Sequence, residues 1–452
     1  MAWPFAACLI IFANHTELMK HRPEHSDARA TREKSTGLAA MGNANVRPLT
    51  TGSFAMSKRV KAKIKGELLS WARSSAGFDI GAAAAKLGID AQQLEAWEAN
   101  TDHPSIPQLR KAAILYKRPL AVFYLPEPPM SFQPMSDFRR LPDVGPNYFS
   151  PALTLEIRIA HQRRELALEL IEEIDERPKP FKLSATVEMN AETVGASIRS
   201  ALGISYKLQS GWRDPLTAFR AWRSRIEELG VLVFQASRLE SAEASGFAFW
   251  AETLPFMVIN GKDAYPRRTF SLIHELAHLM LRQSGVSDLD ADGQRPRDAE
   301  LIEVFCNQVA AATLMPRDLF LAETIVESRG PGQHEWPNET IVALAATYGV
   351  SREAVVRRLT TFGRASESFY NRKRAQYARE FQLQRQRDRE KNEGKPIPRN
   401  MPRETLATFG RSFVRMVIEN YRSDRLSLSE VSGYLGVKVR HLSEIERSVE
   451  LA

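Results

Sequence analysis

The chain has 452 residues, 43% of them hydrophobic, which is more than one compact core usually takes and fits two to four domains of a soluble protein. Its net charge of +8 suits an acidic partner such as nucleic acid without identifying one. With only Cys8 and Cys306, far apart and outside any Cys-x-x-Cys pair, a disulfide framework and a cysteine-rich zinc finger are excluded, and a reducing cytoplasm is the natural home.

The apolar stretch Trp3 to Ala13 lacks the basic residues that precede a secretory signal and is too short to span a bilayer, so no membrane association is expected. From His15 to Thr51 the composition turns polar with no apolar period, and residues 1–56 read as a disordered extension ahead of Met56. Residues 57–130 read as a helix-turn-helix domain. A short apolar helix, Ile80 to Leu87, ends at Gly88, and Asp90 then caps a second helix that carries Leu94 and Trp97 inward. On that second helix Gln92 and Gln93, with Lys86 nearby, are the candidate DNA contacts, and Lys58, Arg59, Lys61, Lys63 and Lys65 supply charge for phosphates.

Residues 131–225 form a helical connecting region opened by an amphipathic helix from Leu153 to Ile174. Within 226–330, Val231–Phe234, Phe247–Trp250 and Phe256–Ile259 read as short strands leading into a buried helix. The strand "PFMVIN" reads either as an edge to which an extended peptide could add or as an interior strand. A helix from Asp298 to Leu314 stops at Met315-Pro316, where proline cannot continue it. Residues 331–370 hold a second helix-turn-helix-like unit, Ile341 to Leu359 with Gly349 at the turn, and 371–400 a basic solvated helix or linker. Residues 401–452 hold a third unit: Leu426–Glu446 aligns without gaps to Phe78–Glu98, Gly436 matching Gly88. The second helices of these later units carry Arg352, Arg357 and Arg358, and Lys438, Arg440 and His441, which makes them candidate faces for an acidic partner.

"TFSLIHELAHLML", Thr269 to Leu281, carries the chemistry. Helical positions four apart lie one turn above each other, so His274 and His278 can aim at one ion, while Glu275 lies one residue round, within reach of a water on it. A hydrolytic zinc site needs a third protein ligand. Glu303, 25 residues beyond His278, is the candidate, with Glu300 as fallback and Asn307 one turn further on to orient a histidine. Two buried histidines and a glutamate need partners, and Zn2+ supplies them. For the oxyanion, Tyr265, His334 and Tyr348 stay open as alternatives.

The pieces Leu94–Pro129, Arg267–Leu281, Glu303–Pro316 and Tyr348–Leu359, with the C-terminal "GRSFVRMVIENYRSDRLSLSEVSGYLGVK", resemble the ImmA/IrrE metallopeptidases fused to an Xre-type helix-turn-helix domain. The resemblance implies an α+β, mainly helical chain with a zincin-like domain of the gluzincin kind, zinc on His274, His278 and Glu303, and Glu275 as general base. It further implies a cytoplasmic regulator that cleaves a partner repressor. The expected function is therefore a zinc endopeptidase with a DNA-binding-type domain, partnered by a protein substrate, by double-stranded DNA, and by a second copy as a homodimer. The alternative is a non-proteolytic DNA-binding regulator or antitoxin whose zincin-like domain senses a ligand.

Overall fold

The computed structural model describes residues 61–129, 136–137, 149–173, 177–212, 214–241, 243–287, 297–329, 334–392 and 399–450. The expected disordered extension over 1–56 and the cations Lys58 and Arg59 lie outside them. The architecture is mainly helical with one small sheet, an α+β arrangement in two compact units, Met1–Pro129 and Met130–Ala452.

The first unit packs helices α1 (Gly66–Ser74), α2 (Ile80–Leu87), α3 (Ala91–Glu98) and α4 (Ile106–Leu115) around Leu68, Leu94, Trp97, Leu109, Tyr116 and Phe123. Local chemistry sets the boundaries. The Asp79 side chain accepts from the Ala82 N–H at 2.7 Å to start α2, and Gly88 ends it in the left-handed region at φ 70. Asp90 then caps α3. Glu98 is not a free face of α3, because Arg73 grips it with two bonds of 2.7 and 2.9 Å. Gln92, Gln93 and Lys86 are exposed.

In the second unit, α5 (Pro151–Glu172), α6 (Ala191–Ala201) and α7 (Pro215–Glu228) lie between the first and second strands of a five-stranded sheet. Its order is β1 (Ser136–Asp137), β5 (Gly285–Ser287), β3 (Gly246–Phe249), β4 (Phe256–Asn260), β2 (Leu232–Ala236). β2 and β4 run parallel, and β3 is antiparallel to both its neighbours. "PFMVIN" is thus an interior strand, paired on both sides, and the edge reading is corrected: all five residues of β4 are buried, as an unbroken apolar run requires. The sheet is covered on both faces. Phe249 and Phe256 stack at 5.2 Å with His161 of α5 edge-on, while Val233, Ala248, Met257 and Ile259 join the core of α8 (Tyr265–Met280) on the other face.

α9 (Arg297–Leu314) packs alongside α8 and ends before Pro316. α10 (Asn338–Tyr348) and α11 (Arg352–Thr361), joined at Gly349 with φ 67, bury Leu344, Tyr348, Val355 and Leu359 in the same core. Arg358 is buried, donates to the Met315 carbonyl at 2.7 Å and pairs with Glu192 at 2.7 Å, so it closes the end of α9 within the chain's own core. α12 (Glu367–Asn392) is one helix, anchored by Phe369, Tyr370 and Tyr377 and mostly exposed beyond them.

The chain closes with α13 (Met401–Phe409), α14 (Arg411–Arg422), α15 (Leu428–Leu435) and α16 (Leu442–Glu450). α13 lies against β2, where its Ala407 carbonyl accepts from Arg223 at 2.6 Å and Gln235 at 2.7 Å. α15 ends at Gly436, φ 62, repeating the stop of α2 at Gly88 348 residues later. Among the described residues no helix is long and apolar enough to cross a membrane.

Candidate metal centre

α8 begins with Pro266 in its first turn, where the missing N–H is no loss, and runs buried from Ser271 to Met280. It is wedged between the sheet and α9, so side chains that a soluble helix would normally show to water point into the protein. His274 and Glu275 are 0% exposed, and His278 and Glu303 1%. One turn separates the two histidines, and their Nε2 atoms meet at 3.1 Å. Glu303, brought alongside by α9, places Oε2 3.5 Å from Nε2 of His274 and Oε1 3.2 Å from Nε2 of His278.

Those three separations test the fit to an ion. At a tetrahedral zinc with bonds of about 2.05 Å, neighbouring donor atoms lie about 3.3 Å apart. The observed separations of 3.1, 3.2 and 3.5 Å, the last two to different oxygens of Glu303, fall in this range, and the donor set, two imidazoles and a carboxylate, is one that zinc takes. Electrostatics agrees. Burial alone would raise the Glu303 carboxyl, but His274 and then His278 outweigh it and hold it well below the usual carboxylate range, so the group is an anion. Cys306, one turn from Glu303 on the buried side, is kept a thiol: burial first, then the Glu303 and Glu275 charges, push its pKa well up.

Glu275 does not join the triangle. Its carboxylate lies against β3 at Gly246, where an added Cβ would sit 3.0 Å from Oε1 and 3.2 Å from Cγ.

Glu300, one turn before Glu303, is exposed and outside the cluster. Asn307 is half-buried, and among the described residues no hydrogen bond joins it to His274, whose Nδ1 is buried without an acceptor. Tyr265 opens α8 nine residues before His274, about 13 Å along the axis, and packs on Phe219 and Arg268. Tyr348 donates its hydroxyl to Glu323 at 2.8 Å, and His334 is exposed. Among the described residues none of the three makes a hydrogen bond or ring contact with the cluster, so the oxyanion role finds no occupant there.

Residues 226–360 match the family model of the IrrE N-terminal-like domain. The match supports a metallopeptidase-type domain, and it takes in the sheet from β2 to β5, the metal helix, α9 and the pair α10–α11. The IrrE-like domain therefore contains all four of His274, Glu275, His278 and Glu303. No curated protein matches the chain.

Proposed function

We propose that the protein is a zinc-dependent endopeptidase that regulates transcription in the cytoplasm by site-specific cleavage of a partner repressor. The observation that carries the reading is the buried triangle of His274, His278 and Glu303 with a fourth, separate carboxylate, Glu275, from the same helix. Three protein donors would hold the ion, one fewer than the four that close a structural zinc site.

In this reading His274 and His278 hold the ion through Nε2 and Glu303 through its carboxylate. Zinc, when bound, supplies Lewis acidity that activates water and polarises the scissile carbonyl. Glu275 takes the proton from the attacking water, holds it on its carboxylate, and delivers it to the leaving nitrogen. The surrounding leucines and Met280 exclude bulk water, which strengthens each of these charge interactions.

The first unit would serve as the DNA-binding-type module, as a homodimer on double-stranded DNA, with Gln92 and Gln93 at base edges and Lys86, Lys63 and Lys65 toward phosphates. Support for it is the glycine-stopped helix α2 followed by α3 with both glutamines exposed. The exposed stretch of α3 bears Glu95 and no cation, so the electrostatic share must come from neighbouring elements.

The test compares the zinc-loaded full chain with its Glu275→Gln variant in an extract of the cell that makes it, with new protein termini read by mass spectrometry. A small set of cuts made by wild type alone, with zinc content equal in both, is the expected result. Identical termini with zinc bound would rule the peptidase out in favour of a non-cleaving regulator.

A further inference from the structure

No left-handed φ calls for glycine at Gly246, so the reason lies in what a side chain there would meet. The residue is absent from those of positive φ, so its conformation is open to any side chain. It sits inside a strand, where glycine packs nothing and weakens the ladder. The backbone cannot retreat, because Gly246 is registered with Ile259 of β4 on one side and Ser287 of β5 on the other. Alternation along β3 puts Gly246 and Ala248 on the face toward α8, with Phe247 and Phe249 packed on Phe256 across the sheet. A Cβ at Gly246 would lie 3.0 Å from Oε1 and 3.2 Å from Cγ of Glu275, and 2.9 Å from the Val258 carbonyl. The carbonyl is fixed in the sheet, whereas the glutamate can swing away.

We infer that Gly246 is the positioning residue for Glu275: its missing side chain is the space in which the carboxylate rests beside the three-donor cluster. The importance of that position for turnover rests on the peptidase reading, but the position itself does not. A methyl group there pushes the Glu275 side chain aside by a few tenths of an ångström and presses on the Val258 carbonyl, whereas His274, His278 and Glu303 are not among the atoms nearest to it.

The test uses the full chain loaded with zinc, as wild type, Gly246→Ala, Glu275→Gln and the double variant. Zinc affinity is measured by chelator competition, and acetohydroxamate serves as a small probe that binds zinc and shares its ionisable proton with the nearest base. Gly246→Ala should hold zinc as tightly as wild type and bind acetohydroxamate about tenfold more weakly, the cost of one charge-assisted hydrogen bond. Glu275→Gln should weaken the probe similarly, and the double variant no further, because both remove the same contact. On a cleaved substrate, kcat of Gly246→Ala should fall by roughly a hundredfold with KM little changed. Additive losses in the double variant, or loss of zinc on Gly246→Ala, would overturn the proposal. If Gly246→Ala fails to fold, adding Glu275→Ala should restore a soluble, zinc-binding protein; failure to do so would put the conflict at the Val258 carbonyl and overturn it too. A non-additive probe cycle in a protein that cleaves nothing would sink the peptidase reading and leave the role of Gly246 standing.

Discussion

Glu227 and Glu303 are both buried carboxylates on helices of the second unit, and they are satisfied in opposite ways. Glu227 meets donors the chain itself provides: Arg223 at 2.9 Å and the Arg411 and Ser412 N–H groups at 3.1 and 3.3 Å, the first turn of α14. Glu303 faces two imidazole nitrogens that can themselves donate an electron pair to a cation. Burial pushes the Glu227 carboxyl up despite Arg223, whereas the histidines hold that of Glu303 down. The difference teaches how to tell an internal brace from a site: a brace sets N–H donors around a carboxylate, and a site brings together groups that all offer lone pairs.

The largest test of this contrast is Glu303→Gln. Loss of even an outer partner of a metal ligand costs about 10- to 100-fold in affinity, so removing a direct ligand should weaken zinc by more than a hundredfold, seen in chelator competition. Glu227→Gln should leave zinc affinity unchanged yet take the counter-charge from the buried Arg223 guanidinium. The expected cost is about 3 kcal/mol in chemical denaturation, and a variant that lost zinc instead would break the distinction.

A pH series sharpens it further. Because the folded pKa of Glu227 is raised above the ordinary 4.5, the unfolded chain releases that proton first as pH climbs, and fewer protons bound when unfolded means stability falling with pH. The Glu227 contribution is therefore fully present below the ordinary value and lost as pH rises through the raised one. Wild type should lose stability across that window relative to Glu227→Gln, and parallel curves would show that the carboxyl is not perturbed. The smallest effect belongs to Asn307→Ala. With no bond from Asn307 to His274, zinc affinity should shift by only about twofold, well short of what an orienting partner is worth; a tenfold loss would return Asn307 to that role.

The parts legible in the sequence were those encoded locally. Glycine stops at Gly88, Gly349 and Gly436, the proline stop at Pro316 and the strands around Phe234, Phe247 and Phe256 each follow from a few adjacent residues. The placing of His274 and His278 over one another is helix geometry, and Glu303 needed only a second helix running back. What stayed hidden depends on partners distant in sequence. Nothing near Arg358 announces that it will cap Met315, and Arg223 gives no sign that it will meet Ala407. Gly246 lay just outside the strand expected from Phe247 to Trp250, and its neighbour Glu275 is a long-range contact that periodicity cannot supply.

The seat of α13 on β2 also decides where the gene can be cut. Gly410, at φ 80, has no room for a Cβ because Glu227, Arg223 and the Val233 carbonyl crowd it, so the last fifty residues are moulded onto the core at a point without slack. A fragment ending at Thr361 would keep the whole family-matched segment yet lose the acceptor at Ala407 and the N–H groups that serve Glu227. Expression boundaries drawn from the family match alone should therefore yield an aggregating product, and those that run to residue 450 a well-behaved one.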